Sequence, residues 1–259
     1  MTTALALFFF FLDSILACRV IMAQGIRVVA LRFLTPFFDS DVAGQVAQYR
    51  NRVMAKYGIE VEVVDVSQSY ITMLEHPAHG YGKHFNPCID CKIFMLQQAR
   101  QLMPRYGADF LVTGEVLGQR PMSQRRDTLH VIERDSGCAG MLLRPLSAHL
   151  LPPTQAEEKG FVERDRLLHI SGRGRREQKA LAREFGIHDY PTPAGGCKLA
   201  DVNLTQRFKR FSPGIFATSQ KEILVQDFRL LLIGRTFEPL PGYIFVVGRN
   251  EEDNLLLEK

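Results

Sequence analysis

Cys88 and Cys91 stand three residues apart in NPCIDC, residues 86–91, and Cys197 closes PAGGC, residues 193–197. A C-x-x-C brings two thiols close enough to grip one metal, and a Gly-rich turn far along the chain could add a third. Three thiolates would leave one iron of a 4Fe-4S cluster open to bind something else. The same trio could instead hold zinc together with His76, His79 or His84, could work as a persulfide and disulfide pair, or could be unrelated loop thiols. Cys18 and Cys138 lack such company and read as packing residues. Five cysteines in a chain of 259 residues is an odd number in a protein too large to need staples, so a disulfide framework is a poor explanation.

The other polar groups say less alone. The histidines of HPAHGYGKH, residues 76–84, fit an exposed loop at least as well as a ligand set. Basic residues cluster as Arg173, Arg175, Arg176 and Lys179 in SGRGRREQK, and as Arg207, Lys209 and Arg210 in QRFKRF. Each run is either a solvated face or a track for phosphates. A net charge of +4 and a pI near 8.8 are compatible with a nucleic-acid partner without requiring one.

These side chains must be positioned by an alternation of strands and helices. The apolar run ALALFFFFL, residues 4–12, is expected as a buried strand, and Asp13 as the cap of a helix running to Gln24 and closed by Gly25. Strand 26–34, helix 41–57 stopped by Gly58, strand 59–66, helix 89–106 stopped by Gly107, and strand 108–115 follow. That order predicts an α/β protein with an open, mostly parallel sheet flanked by helices. Ligands of such sheets sit at the carboxyl ends of the strands. Thr113-Gly114-Glu115 should therefore face the same crevice as the end of the first strand. From Asn203 onward, EILVQDFRLLLIG and GYIFVVG, separated by RTFEPLP, read as short strands. The expected division is a large domain over 1–202 and a small β-rich domain over 203–259.

A secretion signal needs a basic segment before its apolar core, whereas Met1-Thr2-Thr3 has none and Asp13 follows the run at once. A membrane span needs about 20 apolar residues, which no segment supplies. With 46% hydrophobic residues the chain can build a sizeable core, and a cytoplasmic globular protein is expected.

Taken together, LDSILA after a first strand, NPCIDC, LVTGEVLGQRPMSQ, LLRPLSAHLLPPT and PTPAGGC resemble the PP-loop ATP pyrophosphatases (HUP-like fold) that thiolate tRNA, specifically relatives of tRNA 4-thiouridine synthetase. The resemblance covers roughly residues 4–200. The tail, with DFRLLLIGRTFEPLPG and VVGRNEEDN, is similar to the RNA-binding module of NFACT-type ribosome-associated proteins. The resemblance implies that Mg-ATP adenylates a uridine carbonyl oxygen and that a sulfur nucleophile, supplied by a sulfur donor, displaces AMP. It implies Cys88, Cys91 and Cys197 as ligands of a 4Fe-4S cluster, with a cysteine persulfide or zinc as the alternatives. It sets Thr113, Gly114 and Gln119 along the nucleotide and places Asp13 and Ser14 in the catalytic loop. RNA contact would fall to the two basic clusters.

One part of the resemblance is broken. The family loop reads Ser-Gly-Gly-x-Asp-Ser, and this chain has Phe9-Phe10-Phe11 before Leu12-Asp13-Ser14. Glycines there permit unusual backbone angles and let N–H groups approach the pyrophosphate beside a helix N-terminus. Three benzyl groups replace that cradle with apolar bulk, so impaired ATP use is expected. The alternatives are a catalytically inactive RNA-binding or scaffold pseudo-enzyme that retains a metal cluster, and a zinc-stabilised protein without RNA.

Overall fold

All five residues of β1, Thr3–Leu7, are buried. Burial on both faces is what the centre of a parallel sheet demands of a strand, and β1 sits there. In this computed structural model, which describes residues 1–259 apart from 39–41, 83, 192–196, 208–224, 241–242 and 259, β1 pairs in parallel with β2 (Arg27–Leu34), Leu5 facing Val29. On its other side it pairs in parallel with β4 (Phe110–Thr113), Leu5 facing Leu111, and β4 pairs in parallel with β5 (Leu142–Leu143). With β3 (Glu60–Asp65) the order is β3-β2-β1-β4-β5. The chain builds outward through α1 (Leu12–Met22) and α2 (Val46–Tyr57), passes α3 (Ser67–Glu75), and returns along α4 (Cys88–Tyr106) to the opposite side of β1. The strand order thus reverses between β1 and β4, the place where open sheets bind ligands. The α/β architecture expected from the alternation is the one observed.

The phenylalanine run behaves differently from expectation. The strand stops at Leu7 instead of extending to Leu12. Phe8 is buried, Phe9 is 40% exposed, and Phe10 takes a left-handed φ of 55° that turns the chain toward α1. Phe11 precedes the helix in an extended conformation, φ −110° and ψ 161°. Asp13 therefore lies inside the first turn and caps nothing. The turn is closed by Ser14, whose Oγ accepts the Phe11 N–H (3.2 Å) and donates to the Phe11 carbonyl (2.8 Å).

Two compact units make up the chain. The first is Met1–Phe33, Val42–Asp65 and Cys88–Ala194. It also holds α5 (Arg126–Ser136), α6 (Gln155–Glu158) and α7 (Arg176–Glu184). The second is Leu34–Asp41, Val66–Pro87 and Gly195–Lys259, so it reaches beyond the expected 203–259 to take in Cys197 and two earlier excursions. Its three segments meet through rings. Phe37, Tyr70 and Phe228, one from each, are all fully buried, with Phe37 centred 6.0 Å from Tyr70 and 5.6 Å from Phe228. Burying each such ring contributes about 2–3 kcal/mol.

The tail carries the expected small β element, a two-stranded antiparallel sheet, while one segment expected as strand is a helix. Phe228 and Leu231 are buried three residues apart, a helical spacing, and Val225–Leu232 forms α8 instead of a strand. The expected connector RTFEPL is instead β6 (Arg235–Leu240), antiparallel to β7 (Tyr243–Val247), and α9 (Glu251–Leu257) follows with Asn250 Oδ1 accepting the Asp253 N–H. Among the described residues no helix is long and apolar enough to cross a membrane.

Candidate functional site

At the reversal point, the tip of β4 touches the start of α1. A Cβ added to Gly114 would lie 2.5 Å from the Asp13 carbonyl carbon and oxygen and 2.6 Å from Ser14 N, so no side chain fits between these two backbones. This contact brings the TGEVLGQRPMSQ segment onto Asp13. Gln119 Nε2 donates to Asp13 Oδ2 at 2.7 Å, and Gln178 Nε2 donates to Gln119 Oε1 at 3.2 Å. Gln178 reaches this point from α7, which follows the SGRGRR turn. That turn is joined to the motif by the Gly172 N–H donating to the Leu117 carbonyl at 2.7 Å. From the same turn, an Arg175 guanidinium nitrogen lies 3.3 Å from Asp13 Oδ2.

Both donors crowd one carboxylate oxygen. The other, Asp13 Oδ1, is buried and has no hydrogen-bond partner among the described residues, and the same holds for Arg175 Nη1 and Gln178 Oε1. Unpaired buried polar atoms each cost about 1–3 kcal/mol, so three around one residue mark a place shaped for something else. A bare carboxylate oxygen is a cation or donor site, and the guanidinium N–H and amide oxygen offer the complementary contacts of a polar ligand. Thr113 is less available, since its hydroxyl donates to Glu115 Oε2 at 3.3 Å.

The loop side of the site has a different character. Phe10 keeps the positive φ that a glycine would adopt freely, at a cost of about 1–2 kcal/mol for an L-residue. Its ring offsets part of that cost by packing edge-on against Phe8 (6.0 Å), Tyr49 (5.6 Å) and Tyr57 (6.1 Å), with the Arg32 guanidinium 5.8 Å from its centre. Ser14 is spent on the turn, and the Phe11 N–H it accepts is withdrawn from any anion. The polar half of the site therefore fits a nucleotide and its cation, and the aromatic loop does not.

Next to Gly114, both oxygens of the Glu115 carboxylate carry charged partners, and Arg144 Nη2 is the one atom of this cluster left without a partner among the described residues. The carboxylate meets Lys92 Nζ and, at 2.9 Å, Arg144 Nε; Arg144 also pairs with Glu133. Burial alone would raise the Glu115 pKa, but the charges of Lys92 and Arg144 overcome it and hold the group down at about 2. Ser147 Oγ completes the frame, accepting the Leu117 N–H at 3.0 Å and donating to the Ile170 carbonyl at 2.7 Å. Arg144 and Gln178 were not singled out from the sequence, and Glu115 was named there only as part of the strand tip. The shared signal was present in TGE and LLRPLS, whose charges had no partner until the fold supplied one.

The cysteines are placed in three ways. Cys88 and Cys91 lie one turn apart on α4, both half-buried, in the first unit. Cys197 is in the second unit, just before a 3-10 turn. Among the described residues no three His, Cys, Asp or Glu side chains gather closely enough to hold a metal ion. The pair on α4 suits two ligand positions. Cys18 and Cys138 are buried and their thiol pKa values are raised by desolvation, Cys18 to about 12, as inert packing thiols require. Arg173, Arg176 and Lys179 are exposed, and Arg175 is drawn to Asp13 instead. Arg207 is half-buried, while Lys209 and Arg210 fall outside the described residues.

Residues 2–149 match the sequence model of the family described as ThiI, thiamine biosynthesis protein. No curated protein matches the chain. Among solved structures, the U34-tRNA thiolase NcsA of Methanococcus maripaludis with its 4Fe-4S cluster is similar at 13% identity and a TM-score of 0.42, over 94% of this chain and 76% of that one. A predicted subunit of tRNA methyltransferase from Methanocaldococcus jannaschii is similar at 15% identity and a TM-score of 0.37, over 56% and 69%.

Proposed function

The chain belongs to the ThiI family, and on that premise we propose that it descends from tRNA-thiolating enzymes that adenylate a uridine carbonyl with ATP and then transfer sulfur to it, with ATP use impaired by Phe9-Phe10-Phe11. The observation that carries this reading is the unsatisfied polar half-site at the reversal point. Asp13 Oδ1, Arg175 Nη1 and Gln178 Oε1 are buried without partners where the sheet order places ligands. In this reading Asp13 holds the nucleotide's cation, and Arg175 exchanges its ion pair with Asp13 for a phosphate oxygen. Gln119, fixed by Gln178, orients the Asp13 carboxylate. Gly114 keeps the strand tip tight against the helix start, so that the site keeps its shape. Magnesium would neutralise charge on the departing pyrophosphate. The sulfur donor would act through the thiols, of which Cys88 and Cys91 share one helical turn.

The saturation of the loop favours one second reading, an RNA-binding pseudo-enzyme. Phe10 is packed among Tyr49 and Tyr57, and the Arg175–Asp13 ion pair already neutralises the half-site. The deciding assay supplies tRNA, Mg-ATP and a sulfide source to anaerobically purified protein and follows thiolated tRNA by its retardation on an organomercurial gel. Weak or no product from the unaltered chain and clear product after Phe9→Ser, Phe10→Gly and Phe11→Gly together is the expected result. Equal product from both would overturn the impairment. No product from either would favour the pseudo-enzyme.

A further inference from the structure

The hairpin of the second unit turns its apolar face outward. Along β6 and β7 the exposed positions alternate, Arg235 and Phe237 on one strand and Tyr243, Phe245 and Val247 on the other. Phe237 faces Phe245 across the ladder, and Leu240 faces Tyr243. Phe237 is 49%, Phe245 60% and Tyr243 69% exposed, so three aromatic side chains lie largely in water on one ribbon.

The two ends of the ribbon are tied to their surroundings. Gly234, at φ 62°, leaves no room for a side chain, since a Cβ there would lie 2.2 Å from the Val247 carbonyl oxygen. After β7 the chain is pinned by Arg249 Nε donating to Asp253 Oδ2 at 2.8 Å. Beside the ribbon, wholly within the second unit, is a cleft of about 960 Å³ whose charged lining is Lys198, Arg207, Arg235 and Arg249 against one acid, Asp201. Phe237 belongs to both cleft and ribbon, and Cys197 lies on the cleft wall. Arg207 is fixed by its Nη1 donating to the Leu231 carbonyl at 3.1 Å.

Exposed rings alongside a cationic cleft suit a ligand with flat apolar faces on an anionic thread. We propose that this surface binds an unpaired RNA strand, its bases stacking on Phe237, Phe245 and Tyr243 while Lys198, Arg207 and Arg235 take its phosphates; Arg249 is already paired with Asp253. Stacking on an aromatic side chain is sequence-tolerant and contributes enough per base that a pair of rings outweighs any single phosphate contact. A duplex hides its base faces and cannot use the rings. The strand so held runs past Cys197. The proposal rests on the functional reading only for the choice of RNA as ligand.

The test is fluorescence anisotropy on the full chain, without ATP, using a labelled single-stranded 12-mer of uridine and a duplex of equal length. The single strand is expected to bind at least about tenfold more tightly. Phe237→Ala with Phe245→Ala should cost about tenfold or more and leave the slope of log affinity against log salt unchanged, whereas Phe237→Trp should retain binding. Arg207→Gln with Arg235→Gln should instead flatten that slope by about 1.4, two phosphates at about 0.7 each. Circular dichroism checks that these exposed substitutions leave the fold intact. Equal binding of duplex and single strand, or an unaffected ring variant, would overturn the proposal. So would a chain that ignores RNA but self-associates through the rings in ultracentrifugation. Absence of thiolation by the variant carrying Phe9→Ser, Phe10→Gly and Phe11→Gly, with strand binding intact, would instead break only the functional reading.

Discussion

Two buried carboxylates sit at the tips of neighbouring strands, and the protein treats them in opposite ways. Glu115, after β4, is enclosed by Lys92 and Arg144, with Arg144 held in turn by Glu133. Asp13, after β1, receives Gln119 and Arg175 on one oxygen and nothing on the other, while Arg175 and Gln178 each keep an unclaimed polar atom. Arg144 also keeps one unpartnered nitrogen, so the difference lies in the carboxylates themselves: both Glu115 oxygens are paired, and Asp13 Oδ1 is bare. A fully paired buried carboxylate fixes a structure, and a half-bare one raises its energy unless a ligand completes it. Glu115 is thus part of the frame, and Asp13 part of a site.

The comparison predicts unequal responses to substitution. Replacing Glu115→Gln leaves half-buried Lys92 without its counter-charge and Arg144 with Glu133 alone, and should cost about 3 kcal/mol in urea unfolding. A loss of less than about 1 kcal/mol would remove the distinction. Titration sharpens the same point. Since the folded-state pKa of Glu115 lies below its unfolded value, the stability it contributes is present above about pH 5 and is lost as pH falls from there through about 2. Thermal melts should therefore drop over that interval, and the drop should be smaller in Glu115→Gln, where the lowered Asp127 and Asp253 still contribute.

Substitution of Asp13→Asn keeps an acceptor for Gln119 and takes the counter-charge from Arg175, whose guanidinium is partly exposed and can turn to water, so stability should fall by less than at Glu115, about 1 kcal/mol. The smallest effect is expected at Phe10→Gly. Relief of about 1–2 kcal/mol of left-handed strain is opposed by the loss of packing against Tyr49 and Tyr57, and the midpoint of unfolding should barely move.

The sheet was legible because its strands and helices repeat a simple alternation, and because Gly58 and Gly107 stop α2 and α4 where their left-handed φ values are required. The convergence of Asp13 with Gly114 and Gln119 was legible from strand ends and motif resemblance together. Arg175 was not, because a charged residue in a basic run looks like surface until its turn is joined to Leu117. The phenylalanine run was read as continuous strand because apolarity carries no sign of φ, and only the folded turn at Phe10 reveals it. In the tail, VQDFRLLL contains enough apolar residues to imitate a strand, and the burial of Phe228 with Leu231 decides for a helix.

Calorimetry of Mg-ATP binding to the unaltered chain and to the variant carrying Phe9→Ser, Phe10→Gly and Phe11→Gly tests the central claim most directly. The account predicts binding by the variant alone, and its loss again when Asp13→Asn is added. Binding by the unaltered chain would contradict the blocked loop, and silence from both would contradict the assignment of the Asp13 half-site to a nucleotide.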